Sequence, residues 1–503
     1  MSDNTSLTLG DVAACVGVLG TIVWVYLRKS DSRLPLPPSP PTWRLRGHFL
    51  PPREPFLAVG RWIDEYGPLI TIRSGMQNMV IIGRYKAAVD IMEKQGKTLA
   101  DRPRLVAAGE ILSRGLTLGF CGVGDRLRRL RRVLHTHLQP KSAETYQPLQ
   151  MSQARTLILN ILDDPSNFQN HAIACAASTI LKVAYGKTSP TSATDPEVKE
   201  ARHIMFRFRT ILRPGAYWVD SIPWLKYLPW YAPELKDDFK RTTRLYTDQL
   251  NRVKQHMKNE DIGPSFSKYV LENGHLYDLT EMEMAYLAGS FFGAGTETTA
   301  TAICTVLMAA AHFPEEQAKV QAELDAVIGK GRAPTFADRP SLPRLEAFIS
   351  EALRWRPLAP FGFPHRTTED VIWASNYCIP AGTTVFGNHW AISRDPEVYP
   401  EPDAFKPQRW IDDQGRLRDD FAFFVYGFGR RICPGQHVAN RSVFINSLLI
   451  LWAFQLNLDP TKPQDDMGFA KTFMPDVPCA IEFQARVPEV ELRRIIHNYP
   501  EAG

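Results

Sequence analysis

Hydrophobic and polar positions change period several times along the chain, and each change marks an element. Residues Leu7 to Leu27 are apolar apart from small polar residues and Asp11, close to the about 20 residues that a helix needs to cross a bilayer. LPLPPSPP, Leu34 to Pro41, can be neither helix nor central strand. Alternating β-branched residues between Gly67 and Ile82 predict a hairpin. Helical periodicity then dominates from Tyr85 to about Gly274, broken only by the aromatic and proline-rich stretch Arg213 to Trp230. That break reads either as a packed loop or as a surface that dips into a bilayer, where Trp and Tyr favour the interface. Met284 to Ala311 is a long apolar helix whose one charge is Glu297. A glutamate, several threonines and three glycines at mid-helix suit a buried core helix better than a second membrane span. From Pro357 to Trp410 prolines alternate with short β-like runs, with a tight turn at Pro380-Ala381-Gly382. A last helix begins at Gln436 and runs to about Leu456, followed by loops and short strands.

Charge changes the picture at the N-terminus. Arg28 and Lys29 follow the apolar stretch while Asp3 and Asp11 precede or open it, the reverse of a cleaved signal peptide. The pattern predicts an uncleaved single-pass anchor with the body in the cytosol, hence an anchor at 1–30, a proline-rich hinge at 31–45 and a catalytic domain at 46–503. Stiff polyproline would hold that body at a fixed posture against the membrane. A net charge of +5 over 503 residues, with no basic stripe interleaved with aromatics, gives no case for nucleic acid. Seven scattered cysteines without a CxxC read as reduced thiols rather than a disulfide framework.

The chemistry concentrates in YGFGRRICPG, Tyr426 to Gly435. Gly427 and Gly429 open backbone conformations closed to other residues and admit a flat ligand. Pro434 suits a first helical turn, and Val438, Phe444, Leu448 and Leu451 continue the helix. A sulfur at such a helix start feels the positive end of the dipole, which favours the thiolate. Ala294-Gly295-Thr296-Glu297-Thr298-Thr299 forms a second cluster. Its glycines and back-bonding threonines predict a weakened, bent turn and a local groove.

These strings resemble the cytochrome P-450 superfamily. Gly429, Arg431, Cys433 and Gly435 match its cysteine loop, with Tyr426 where the family has Phe, a change that keeps the ring and offers a hydroxyl to the sulfur's surroundings. The resemblance implies a mainly α fold, the helical P-450 prism with a small β-rich subdomain, preceded by the N-terminal transmembrane helix. It implies haem b (iron protoporphyrin) bound through Cys433 as the axial iron ligand, with Arg131, His365, Arg431 and Arg102 toward the propionates. Leu127 stands where the family has the Trp of W-x-x-x-R, which removes one propionate donor and leaves more to Arg131. Thr298 resembles the hydroxyl that steadies bound oxygen, and Glu297 the acid that relays protons. Glu351, Arg354 and Arg409 match the structural Glu-Arg-Arg network. Arg128, Arg129, Arg132 and Arg430 would form a docking face for NADPH-cytochrome P-450 reductase. The Arg104–Phe120 loop, Phe291, Phe292, Phe361, Phe363 and Phe473 would line an apolar pocket. The IPAGT…WAI…DP…YP…PxRW series looks like fungal microsomal members, and WVDSIPWLKYLP like secondary-metabolism enzymes. The function implied is insertion of one atom of O2 into a lipophilic small molecule (terpenoid, polyketide or sterol-like) at the endoplasmic reticulum membrane, the catalytic domain facing the cytosol. Two alternatives are a reductase-independent haem-thiolate isomerase or dehydratase, which retention of both Glu297 and Thr298 argues against, and a non-catalytic haem or lipid carrier.

Overall fold

The computed structural model describes Gly17 and residues 34–42, 47–51, 53–75, 77–213, 215–259, 263–420, 424–462, 467 and 480–499. The proposed anchor therefore lies outside the described residues apart from Gly17, as does Phe473. Among the described residues no helix is long and apolar enough to cross a membrane.

The helices that build the site are α1 (Pro55–Tyr66), α2 (Asp125–Leu138), α3 (Gln147–Asp163), α4 (Phe168–Tyr185), α5 (Pro196–Ile211), α6 (Pro233–Asn259), α7 (Glu281–His312), α8 (Pro343–Trp355) and α9 (Gln436–Ala453). The start of α7 is written in its sequence. Thr280 Oγ1 accepts from the Glu283 N–H while Glu283 Oε2 accepts from the Thr280 N–H, both at 3.2 Å, a reciprocal cap. At 1.5 Å per residue this helix is about 48 Å long, and α4, α5, α6, α8 and α9 pack around it. It is the buried core helix expected, longer at both ends than Met284 to Ala311. Its two halves serve different cores: Ala285 to Phe292 joins one apolar cluster with α2, α4 and α6, and Ala300 to Ala311 another with α3, α4, α8 and α9. The turn between belongs to neither, and it holds Gly293 to Thr299.

Four strands form the main sheet, in the order β1 (Leu69–Ser74), β2 (Gln77–Ile82), β6 (Thr384–Gly387), β3 (His365–Arg366). The predicted hairpin is β1–β2, antiparallel from Leu69↔Ile82 to Ser74↔Gln77, turning at Gly75 with φ +60°. β2 and β6 run parallel, and β3 pairs antiparallel with β6 through His365↔Val385. Two small ribbons complete the β structure: β4 (Val371–Trp373) with β5 (Tyr377–Ile379), and β7 (Phe454–Leu458) with β8 (Ile481–Ala485). The turn expected at Pro380-Ala381-Gly382 joins β5 to β6, closed by the Thr383 N–H on the Pro380 carbonyl.

The proline stretch is strapped to this sheet. Thr71 donates from N–H to the Pro38 carbonyl at 2.7 Å and from its hydroxyl to the Pro37 carbonyl at 2.8 Å, and the Cys378 N–H reaches the Pro35 carbonyl. Stiff prolines present free carbonyls, and the sheet edge supplies the donors.

One sequence expectation changes here, and the loop reading of Arg213 to Trp230 gains detail. The segment inside Arg104–Phe120 is not simply a loop: Val106–Leu112 coils as a π-helical turn, capped by Asp220 on the Ala107 N–H at 3.0 Å. The stretch from Arg213 to Trp230 is a loop with two 3₁₀ turns, Trp218–Asp220 and Pro223–Tyr227. Val219 plugs the body, while Trp218, Trp224, Tyr227 and Trp230 stand 56, 61, 76 and 69% exposed.

Candidate functional site

A cavity of about 760 Å³ lies between the cysteine loop, the middle of α7 and the loop preceding β3. Its floor is built by backbone geometry. Gly427 (φ +86°) and Gly429 (φ +57°) take left-handed conformations, and Gly429 passes so close to Met92 that a side chain there would strike the Met92 carbonyl. The Gly429 N–H is held by Glu93 Oε2 at 2.5 Å, and the Cys433 N–H by the Tyr426 carbonyl at 3.0 Å. Cys433 is thereby presented three residues before α9, facing the cavity. Burial pushes its thiol up from the usual value; the N–H of Gly435, the charge of Arg131 and the N–H of Gln436 pull it partly back. The N–H groups of the helix start favour the thiolate, as the sequence reading has it, while burial opposes them. A coordinated metal removes such a proton outright. The Tyr426 hydroxyl is also committed elsewhere, donating to Asn440 Oδ1 at 2.7 Å.

The facing wall is the middle of α7, over somewhat more than two turns. Ala294, Gly295, Thr298, Thr299 and Ala302 line the cavity, and Thr298 Oγ1 donates to the Ala294 carbonyl at 2.6 Å. Glu297 does not line it. Only 1% exposed, it turns to α5, where Oε2 accepts from Arg202 Nε at 2.7 Å. The helix stays α-helical through the expected weak turn, from Glu281 to His312. The glycines serve packing instead: a Cβ on Gly295 would come within 2.7 Å of Ile180 Cγ1, and one on Gly289 would enter the Tyr246 ring.

At one rim the structure brings together Arg102, Arg131, His365 and Arg431, as the motifs predicted. Arg102 donates to the carbonyls of Gly119 and Pro364, Arg131 to that of Ile432, and Arg431 to those of Ala100 (2.5 Å) and Cys121 (2.7 Å). His365 Nδ1 donates to the Leu99 carbonyl at 2.8 Å. Burial and then Arg431 and Arg131 push Arg102 down to about 9, and burial together with Arg131 brings Arg431 to about 10. His365 falls to about 3 through burial and Arg102, so it is neutral. Asp101, the acid beside them, is already taken by Arg366 and the Val123 N–H. Three half-desolvated guanidiniums with carbonyls for partners form a site for carboxylates. With a sulfur on the floor, this donor set fits haem and its two propionates.

Behind the floor, Glu351, Arg354 and Arg409 meet. Arg354 grips Glu351 through two 2.8 Å bonds, and Arg409 Nε adds one at 3.2 Å. Sequence reasoning missed two members that complete it, Trp410 Nε1 at 2.9 Å and the Lys406 N–H at 2.8 Å. Their signal was adjacency to Arg409. Arg202 was missed because nothing local ties it to Glu297.

The pocket expectation holds for Phe291, Phe361, Phe363 and the end of the Arg104–Phe120 segment, where Phe120 stacks on Phe208 at 4.7 Å. It fails for Phe292, which is fully buried and packs edge-on against Tyr185, about 100° around the helix from Phe291. It fails also for Arg104, which turns outward to pair with Glu110 at 2.5 Å. The basic face needs revision as well. Arg132 and Arg430 are exposed, but Arg129 is bound to Asp278 at 2.8 Å and Glu283 at 3.3 Å, and Arg128 pairs with Asp125.

Comparison with known proteins agrees with this geometry. Residues 37–483 match the family described as Cytochrome P450. Cytochrome P450 monooxygenase 113 of Postia placenta is 44% identical over 484 residues, covering 95% of this chain and 98% of that protein. Cytochrome P450 monooxygenase 64 of the same fungus is 45% identical over 476 residues, covering 94% and 96%. A cytochrome P450 monooxygenase of Armillaria gallica is 36% identical over 433 residues, 84% of this chain and 83% of that one. With a match along most of its length and a cavity built for a sulfur-bound haem, the chain belongs to the cytochrome P450 family and is a haem-dependent monooxygenase.

Proposed function

We propose that this monooxygenase inserts one oxygen atom from O2 into a lipophilic terpenoid, polyketide or sterol-like molecule of fungal secondary metabolism, with electrons from an NADPH-cytochrome P450 reductase. The observation that carries this reading is the cavity itself: Cys433 on the floor, Thr298 on the facing wall, carboxylate-binding cations at one rim and aromatic side chains among the rest of its lining. Haem would be held through the Cys433 sulfur and would supply the iron that activates O2. Arg102, Arg131, His365 and Arg431 hold its propionates by charge and N–H donation. Thr298 Oγ1, already bonded to the Ala294 carbonyl, offers its lone pairs and proton to whatever stands over the sulfur. Glu297, held by Arg202, whose side chain is a third exposed, is the acid that relays protons from the solvent side. The Glu351 network keeps the floor rigid, a structural role.

The setting belongs to the same proposal: an anchor at 1–30 and a proline strap hold the catalytic body on the cytosolic face of the endoplasmic reticulum. The exposed Trp218–Trp230 aromatics lie in the interface, and Arg132 and Arg430 meet the acidic reductase, joined by Arg128 when it leaves Asp125.

The test is spectral and chemical. Reduced protein under carbon monoxide is expected to show the band of thiolate ligation, and Cys433→Ser to lose it. Microsomes containing the reductase, fed lipophilic metabolites and read by mass spectrometry, are expected to yield products 16 mass units heavier only with NADPH. Turnover that persists without NADPH and reductase overturns the electron-supply part of the proposal.

A further inference from the structure

Among the polar side chains of the cavity wall that the family motifs do not explain, one is buried with a ring nitrogen unpartnered. His389 opens the short helix His389–Ile392 after β6 and is 5% exposed. Its Nδ1 is buried without a hydrogen-bond partner. Phe424 and Phe428 stand edge-on to the ring at 5.8 and 6.0 Å, and Nε2 lies where a side chain on Gly362 would touch it. The ring borders the same cavity as Cys433 and His365. Burial holds its pKa at about 4, so it is neutral.

A neutral imidazole has one N–H and one lone pair. Occluding a lone pair costs less than occluding an N–H, which puts the proton on Nε2 and leaves a donor at the wall. Buried donors nearly always find an acceptor, and here it must come from what fills the cavity. Two observations choose it. Gly362, which Nε2 approaches, lies three residues before His365, and both line the cavity with Arg102, Arg131 and Arg431, so the imidazole stands on the segment that leads to that rim. That rim is also one donor short, because Leu127 stands one turn before Arg131 on α2 in place of an indole N–H.

We propose that His389 is a haem-binding residue, donating from Nε2 to a haem propionate and replacing the donor that Leu127 lacks; this rests on the haem-dependent reading above.

The experiment times haem transfer from full-length, haem-loaded protein to excess apomyoglobin. His389→Phe keeps the ring packing but has no donor, and is expected to lose haem about tenfold faster than wild type. His389→Gln keeps a donor and is expected to stay within about twofold. The carbon monoxide band of each variant reports its fold, and His389→Ala, which adds no bulk, repeats the measurement if the Phe variant does not load. Wild-type release rates in the variants without a donor overturn the proposal. A second arm displaces Nile red from loaded protein with dodecan-1-ol and with dodecane. If His389→Phe erases the preference for the alcohol while haem release is unchanged, the donor faces substrate and the propionate assignment falls. A wild-type protein that holds no haem takes down the monooxygenase reading and this proposal together, whereas a loaded wild type with indifferent variants removes only His389.

Discussion

Thr298 shares its local bond with its neighbours. Thr296, Thr301 and Thr305 also donate to the carbonyl four residues back, at 2.8–2.9 Å, a habit of helical threonines. What separates Thr298 is its face, the one turned to the cavity. Removing its hydroxyl therefore takes little from the fold and much from proton handling. Thr298→Ala is expected to keep haem and stability but to divert NADPH electrons into hydrogen peroxide. The ratio of peroxide formed to NADPH consumed measures this, and a wild-type ratio removes Thr298 from the chemistry. At this scale the sequence was most legible where one short segment must satisfy a ligand by itself, as in Gly427–Gly435 and Ala294–Thr299. It was silent where a partner comes from afar: Arg202 stands 95 positions before the Glu297 it binds, and His389 belongs to no motif.

Elements were legible through period, but not through the reason for each residue. The glycines of α7 read as helix-weakening positions, yet the helix is unbroken and they are the contact points of crossing helices. Gly289→Ala, which gains up to about 1 kcal/mol in a free helix, is expected to destabilise this protein by about 1–3 kcal/mol, because its methyl enters the Tyr246 ring. Tyr246→Leu in the same background is expected to restore part of the loss in thermal unfolding; a Gly289→Ala protein as stable as wild type shows that α6 and α7 separate freely. The Glu351 network makes the opposite kind of element, rigid because every charge is answered. Burial raises the Glu351 carboxyl, but Arg354, Arg409 and the Lys406 N–H together bring it below its ordinary value. A carboxyl lowered on folding contributes stability above its unfolded pKa of about 4.3, and loses it as pH falls through the folded value. Glu351→Gln is expected to cost about 3–5 kcal/mol at pH 7, since Arg354 is left buried without its partner. The deficit should shrink below about pH 4, and urea midpoints at the two pH values measure it. Equal midpoints at pH 7 deny the network its structural role.

For the whole molecule, the fold class was legible because its helices and sheet each carry their own period, while the attitude of the body depends on surfaces that no period describes. The strap fixes one of them. With Pro35, Pro37 and Pro38 bonded to β1 and β5, whatever precedes residue 34 departs from a set point on the sheet rather than from a free tether. The second surface is the loop carrying Trp218, Trp224, Tyr227 and Trp230, held in place by Val219 beneath it. Four exposed aromatics on one loop leave apolar surface in water at roughly 25 cal/mol for each Å², and apolar surface of this kind marks sites that meet an apolar phase. If that phase is the bilayer, full-length protein in vesicles with brominated acyl chains loses part of its tryptophan fluorescence to quenching at this loop. The Trp224→Ser, Trp230→Ser double variant is then expected to show a smaller quenched fraction than wild type with its carbon monoxide band intact. An unchanged quenched fraction means that the indoles face water, and the loop is then packing for the Val106–Leu112 turn, which Asp220 caps.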